Sequence, residues 1–270
     1  MSGEQKLTRS GDRHGPSPVV GWRDSVDLLR SHEGGTVTHH RPVGPIRWER
    51  RSKPGGGDRW LARLEPRDAR TFRRLVLPLV PSITRSIGPC SYAVRAAADG
   101  RLRPWPGARS AWRRAIRRTI VAPPGSVVIV SDVRDCYPSV GERALEAVGC
   151  SRELRSFLRA LADAGVRGLP VGPDPSAILA NGVLAHADRL AAAAGCRPIR
   201  WVDDVMFAAA GRRPAIRAFD AWRRGLAELG LEAHDGKTRM FTDIGEALFA
   251  IGASGGSGVR HGDHGIIPEP

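Results

Sequence analysis

The sequence predicts an α+β fold in which an antiparallel sheet carries helices on one face. Three observations predict it. Val127, Val128, Ile129 and Val130 form an unbroken apolar run, the pattern of a strand buried on both faces. Two short runs rich in β-branched and aromatic residues flank Asp203-Asp204, so residues 198–209 read as a tight hairpin with the acidic pair at its turn. Around these lie segments with apolar residues at helical spacing, giving the order strand, helices, hairpin, helix, strand.

The 270 residues suffice for one large domain or two small ones. Hydrophobic residues make up 41% and charged residues 26%, the balance of a globular protein. No run approaches the roughly 18 apolar residues of a membrane span. Met1–Pro16 lacks the apolar core of a secretory signal, so no membrane and a cytoplasmic setting are expected. Cys90, Cys136, Cys150 and Cys196 contain no CxxC pair, which argues against a zinc site and a disulfide framework. The net charge of +14 points to a polyanionic partner, nucleic acid ahead of acidic lipid. Only Lys6, Lys53 and Lys237 are lysines, leaving 42 − 3 = 39 arginines. GC-rich coding is a second source of that Arg excess, and it makes the few lysines more informative.

Residues 1–20 read as disordered, being rich in Gly, Ser, Pro and charge. Trp22–Ser31 suits a short helix ended by Gly34-Gly35. The basic, Pro/Gly-rich stretch from Arg41 to Gly57 reads as a loop or edge hairpin, and Trp60–Leu64 as a strand. Pro66 opens a helix carrying Phe72, Leu75, Val76 and Leu79, limited by Pro78 and Pro81. Residues 101–118 are Arg-rich with Trp105 and Trp112, either a nucleic-acid contact or a solvated basic helix anchored by its tryptophans. Beyond the Val127–Val130 run, Glu142–Val148 and Ser151–Ala164 read as helices. Asp174 suits a helix cap and Pro175 the first helical position, with Leu179, Val183, Ala187 and Leu190 as the buried stripe. After the hairpin, Pro214 to Leu229 is a helix and Gly230 its end. Leu231–Ala233 and Ala247–Ile251 are strand candidates, and 253–270 is a loose tail.

Two acidic sites invite chemistry. Asp132 follows a buried strand directly, where a carboxylate is costly unless paired or metal-bound. Asp203-Asp204 places two negative charges on one turn. Asp is also a common turn and strand-end residue, so each site alone fits a purely structural role.

In order, these features resemble the palm of reverse transcriptases. Asp132 to Tyr137, an Asp followed five residues later by an aromatic, resembles the first palm motif. Gly168-Leu169-Pro170-Val171-Gly172 with Ser176, Leu179, Ala180 and Asn181 is similar to the second. Trp201-Val202-Asp203-Asp204 resembles the Tyr-x-Asp-Asp box, and Leu229-Gly230-Leu231-Glu232 through Lys237-Thr238 the fourth motif. Lys53 and Arg59, around Gly55-Gly56-Gly57, resemble the finger hairpin that holds an incoming triphosphate, and Ser91–Arg95 also fits the fingers. Ala247–Ala253 resembles a primer grip. The likeness spans residues 40–252, and matches in the right order multiply.

The resemblance implies a right-hand polymerase palm, a ferredoxin-like antiparallel sheet with helices on one face, plus fingers. Fingers would occupy 21–122 and the palm 123–252. The chain ends 270 − 238 = 32 residues after Thr238, too few for a helical thumb, so a protein or oligomer partner is expected to replace the missing thumb. Two Mg²⁺ ions, with Mn²⁺ as an alternative, would be held by Asp132, Val133, Asp203 and Asp204, because hard cations prefer oxygen ligands. Lys237 would protonate the leaving pyrophosphate, since lysine can give up a proton and arginine cannot. Lys53, Arg59, Tyr137 and Gly172 would bind the dNTP, with Tyr137 excluding a 2′-hydroxyl. Arg95, Arg113, Arg114 and Trp201 would bind nucleic acid, an RNA template and its DNA product. Val171 stands where the family carries Gln, and Trp201 where it carries Tyr. This wording is similar to bacterial reverse transcriptases of phage-defence and abortive-infection type, which implies antiviral defence. An RNA polymerase on the same palm and a non-catalytic nucleic-acid-binding module with a decayed palm are the alternatives.

Overall fold

Two antiparallel strands, β1 (Arg47–Ser52) and β2 (Asp58–Arg63), pair from Arg47 with Arg63 to Ser52 with Asp58. Residues 47–52 of the basic stretch are therefore a strand, paired with β2. Glu49 bridges Arg63 and Arg51 across one of its faces, while Trp48 and Trp60 remain exposed. The computed structural model describes residues 42–52, 58–93, 105–119 and 125–250. The expected N-terminal segment 1–20, the helix over Trp22–Ser31, Lys53 with Gly55-Gly56-Gly57, Arg95 and the tail 253–270 lie outside the described residues.

Pro66 opens α1 (Pro66–Val76), where its missing N–H costs no helical bond. Pro78 falls in a short 3₁₀ turn (Leu77–Leu79), and α2 (Val80–Ser86) follows with Pro81 in its first turn. The two prolines tighten and re-aim the chain without ending the helical run. The Arg-rich segment is helical, α3 (Trp105–Thr119), with Ala108, Trp112 and Ile116 buried on one stripe. The strand β3 (Val127–Ser131) leads through Asp132 into a short helix, α4 (Cys136–Ser139). Next come α5 (Glu142–Ala147) and α6 (Arg152–Asp163), the latter capped by Ser151, whose Oγ accepts from the Leu154 N–H at 3.2 Å. The long α7 spans Asp174–Ala193. Asp174 lies inside its first turn rather than at the cap, where Pro173 stands.

β4 (Ile199–Trp201) and β5 (Asp204–Ala209) form the expected hairpin, and α8 (Arg212–Ala227) follows. Leu231–Ala233 is not a strand; Ala233 makes a single antiparallel bridge to Val133. A 3₁₀ turn (Asp235–Lys237) precedes β6 (Arg239–Phe241), a strand the residue pattern did not announce. The last apolar segment is a helix, α9 (Ile244–Ala250), not the expected strand.

Strands β4-β5-β3-β6 form one antiparallel sheet in that order. Helices cover both of its faces, which corrects the one-sided expectation. On one face Phe207 meets Phe219 and Trp222 of α8 edge-on, at 5.8 and 5.7 Å. Helix α7 lies behind α8, and Gly225 allows the close crossing: a Cβ there would sit 2.7 Å from the Ala187 Cα. On the other face Val128, Met206 and Phe241 pack with Trp112 and Ile116 of α3 and Ala247 of α9. The cause lies in β3 itself. Its continuous apolar run makes both faces greasy, so both must be covered.

Candidate active site

Strand register assembles the carboxylates. Ser131 pairs with Val205, so one residue further along Asp132 stands across from Asp204. Trp201 pairs with Asp204 in turn, which leaves Val202 and Asp203 as a two-residue turn. Val202 has φ 54, a left-handed backbone that a β-branched residue adopts only under constraint. Such strain costs about 1–3 kcal/mol and persists where surrounding structure holds it.

Asp132 is buried, and the segment after it is tied to the chain near Lys237. The His234 N–H donates to the Asp132 carbonyl at 2.8 Å, and the Arg134 N–H to the Glu232 carbonyl at 2.9 Å. The Ser131 and Thr238 hydroxyls share a buried hydrogen bond of 2.8 Å. These bonds bring Lys237 over the site, where its Nζ donates to Asp132 Oδ2. The other oxygen, Oδ1, is buried without a hydrogen-bond partner. That acceptor is open to a cation.

The electrostatics fit one shared cluster. Burial, then the neighbouring Asp203 and Asp132, push the Asp204 carboxyl up to about 6, against the opposing pull of Lys237 and Arg109. Burial raises Asp203 too, with Asp132 adding to the rise and Arg59 and Lys237 opposing it. The hydrogen bond to Asp132 raises Lys237. Crowded carboxylates of this kind favour a bound cation or a proton. The donor set of hard oxygens suits Mg²⁺ or Mn²⁺. Among the described residues, however, no group of three or more His, Cys, Asp or Glu stands in metal-holding geometry.

Tyr137 is half-buried beneath the site, its hydroxyl raised by burial first and by Cys136 and Asp203 next. Gly168 holds it there. Its φ is +60, and a Cβ would lie 2.6 Å from the Pro138 carbonyl oxygen. The Leu169 N–H donates to the Tyr137 carbonyl at 2.9 Å. The same loop joins the β1–β2 hairpin: the Ala62 N–H donates to the Val171 carbonyl at 2.8 Å, and Gly172 faces Leu61. Gly172 therefore sits beside β2. Arg59, on β2, is exposed and acts electrostatically on both Asp203 and Tyr137.

The remaining expected site residues divide. Val133 is buried in its bridge to Ala233. Arg113 and Arg114 lie exposed on α3. Trp201 is 5% exposed, with its ring 5.5 Å from Trp112, so it is a core residue and not an open stacking platform for a base. Lys53 and Arg95 fall outside the described residues.

Arg109 was not expected at the site. It lies over both Trp112 and Trp201, 5.2 Å from each ring, and its charge reaches Asp204. Its spacing three residues before Trp112 was the available signal. Arg200 and Asp188 were also missed, a charged residue inside an apolar strand and one inside an apolar helix. Their side chains meet at 2.7 Å in the core.

No protein-family model matches the chain, and no curated protein matches it. Among the described residues no helix is long and apolar enough to cross a membrane.

Proposed function

We propose that this chain is a metal-dependent nucleotidyltransferase of reverse-transcriptase type, a palm with fingers that makes DNA from dNTPs on an RNA template. The observation that carries it is the convergence of Asp132, Asp203 and Asp204 at one sheet end, with Lys237 on Asp132 and Arg59 acting on Asp203.

Asp132, Asp203 and Asp204 would hold the divalent ions. When bound, such ions supply positive charge to the triphosphate and to the attacking 3′ oxygen. Arg59 adds charge from the hairpin side and suits phosphate oxygens through its planar fork. Lys237, already a donor to Asp132, carries a proton that it can deliver to the departing pyrophosphate. Tyr137, held by the Gly168 loop, limits the space beside the sugar. The exposed arginines of α3 offer phosphate contacts to a template strand, and antiviral defence is the biological setting in which chains of this wording fit.

A second reading has one observation in its favour. Among the described residues no three His, Cys, Asp or Glu side chains already meet around one point, as a palm retained only for binding nucleic acid would allow. Incorporation of labelled dNTPs with Mg²⁺, with and without template RNA, separates the two. The catalytic reading expects template-dependent incorporation that D203A/D204A abolishes. Equal incorporation by that variant sinks it, and preference for rNTPs would reassign the chain as an RNA polymerase.

A further inference from the structure

Arg200 has no exposed surface, and none of the roles above uses it. Its Nε donates to Asp188 Oδ2 on α7 at 2.7 Å. One terminal nitrogen donates to the Val202 carbonyl at 2.7 Å, and the other to the Asn181 carbonyl at 3.4 Å. The backbone is pinned as well: the Arg200 N–H donates to the Cys90 carbonyl at 2.8 Å, and its carbonyl accepts from the Tyr92 N–H at 3.1 Å. Asp188 is 2% exposed, with Trp222 of α8 beside it.

A guanidinium and a carboxylate buried together lose two hydration shells, and well-packed apolar side chains of equal volume would often be as stable or more so. The pair therefore calls for a role besides stability. Val202 supplies one. It is the strained first residue of the turn that presents Asp203, and its carbonyl is held by the Arg200 fork. Arginine suits this because its rigid planar fork carries donors on three separate nitrogens, which here meet Asp188, Val202 and Asn181, whereas an ammonium offers its donors from a single atom.

We propose that Arg200 is a positioning residue: anchored on Asp188, it holds the Val202 carbonyl and so fixes the backbone that presents Asp203 and Asp204. Its catalytic consequence rests on the polymerase reading, whereas its effect on the turn does not.

The test uses the full chain with D188L/R200M, which removes the whole pair, and with R200K, which keeps a charge beside Asp188 and lacks the fork. Thermal melting, amide exchange at Val202 to Asp204, and nucleotide incorporation are measured. The double variant is expected to melt close to wild type. Its turn amides should exchange roughly tenfold faster or more, and kcat should fall comparably while the nucleotide KM changes little. R200K should show the same split, and it carries the test if the double variant does not fold. Wild-type exchange in the turn of a folded variant overturns the proposal, because the pair would then be packing alone. A wild-type chain that incorporates no nucleotide overturns the polymerase reading, and the exchange comparison still decides this one.

Discussion

Lys237 donates a hydrogen bond to the Oδ2 of Asp132, a residue 105 positions earlier in the chain. The contact is set by backbone pairing of 132–134 with 232–234, not by the reach of a flexible side chain. It leaves Asp132 Oδ1 as the buried, open acceptor.

Substituting Lys237 should separate charge from proton delivery. The side chain is 62% exposed, so K237M and K237R should both fold. Single-turnover incorporation is expected to drop by roughly 10²-fold or more in K237M. K237R, charged yet unable to give up a proton, should not restore it. Full activity in K237R would remove the general-acid role.

Acid should stabilise the metal-free chain through the turn carboxylates. Asp204 rises from an ordinary 3.8 to about 6 on folding, so the folded state binds more protons between these values. Stability from this group is thus present at low pH and is lost as pH rises from about 4 to about 6. Asp203 acts in the same direction. In chelator, D203N/D204N should lack this loss and exceed wild type in denaturant midpoint at pH 7. Asp204 keeps an exposed side, and solvent screening damps the effect. Parallel pH profiles for both proteins would refute the assignment.

Divalent metal should reverse that penalty. A ligand that binds only the folded chain stabilises it by about 2.7 kcal/mol at a hundredfold excess over Kd. Mg²⁺ or Mn²⁺ should raise the wild-type melting temperature, and D203A/D204A should not respond. Calorimetric titration gives the same comparison without heating.

Gly168→Ala should be costly. The backbone is at φ +60, and the new methyl would meet the Pro138 carbonyl. A loss of roughly 2–4 kcal/mol is expected in urea unfolding. By contrast Gly125→Ala, at φ +88 with open space around it, should lose only the conformational part.

Tyr137→Val should relax sugar selection. If the half-buried ring limits the space beside the ribose, the variant gains rNTP incorporation relative to dNTP. An unchanged ratio would leave Tyr137 as packing for the Gly168 loop.

The sequence by itself determined the local elements and where the acidic residues fall on them. An unbroken apolar run announces β3, β-branched runs announce the β4–β5 hairpin, and Pro66 opens α1, because these signals act within a few residues. That placed Asp132 at a strand end and Asp203-Asp204 on the hairpin, where register puts Asp203 in the turn and Asp204 at the start of β5. Tertiary structure decided what covers each apolar face and which charges meet. Ala247–Ile251 reads as a strand from its apolar run, yet Ala247 packs with Phe241 and Val128 as part of a helix. Trp201 reads as a stacking ring until α3 covers it with Trp112. The Arg200 side chain reads as one more arginine among many until folding brings Asp188 to 2.7 Å and the Val202 carbonyl to its other arm. Periodicity reports that a face is apolar or a residue is charged. It carries no information about the partner across the core, and burial makes that partner decisive.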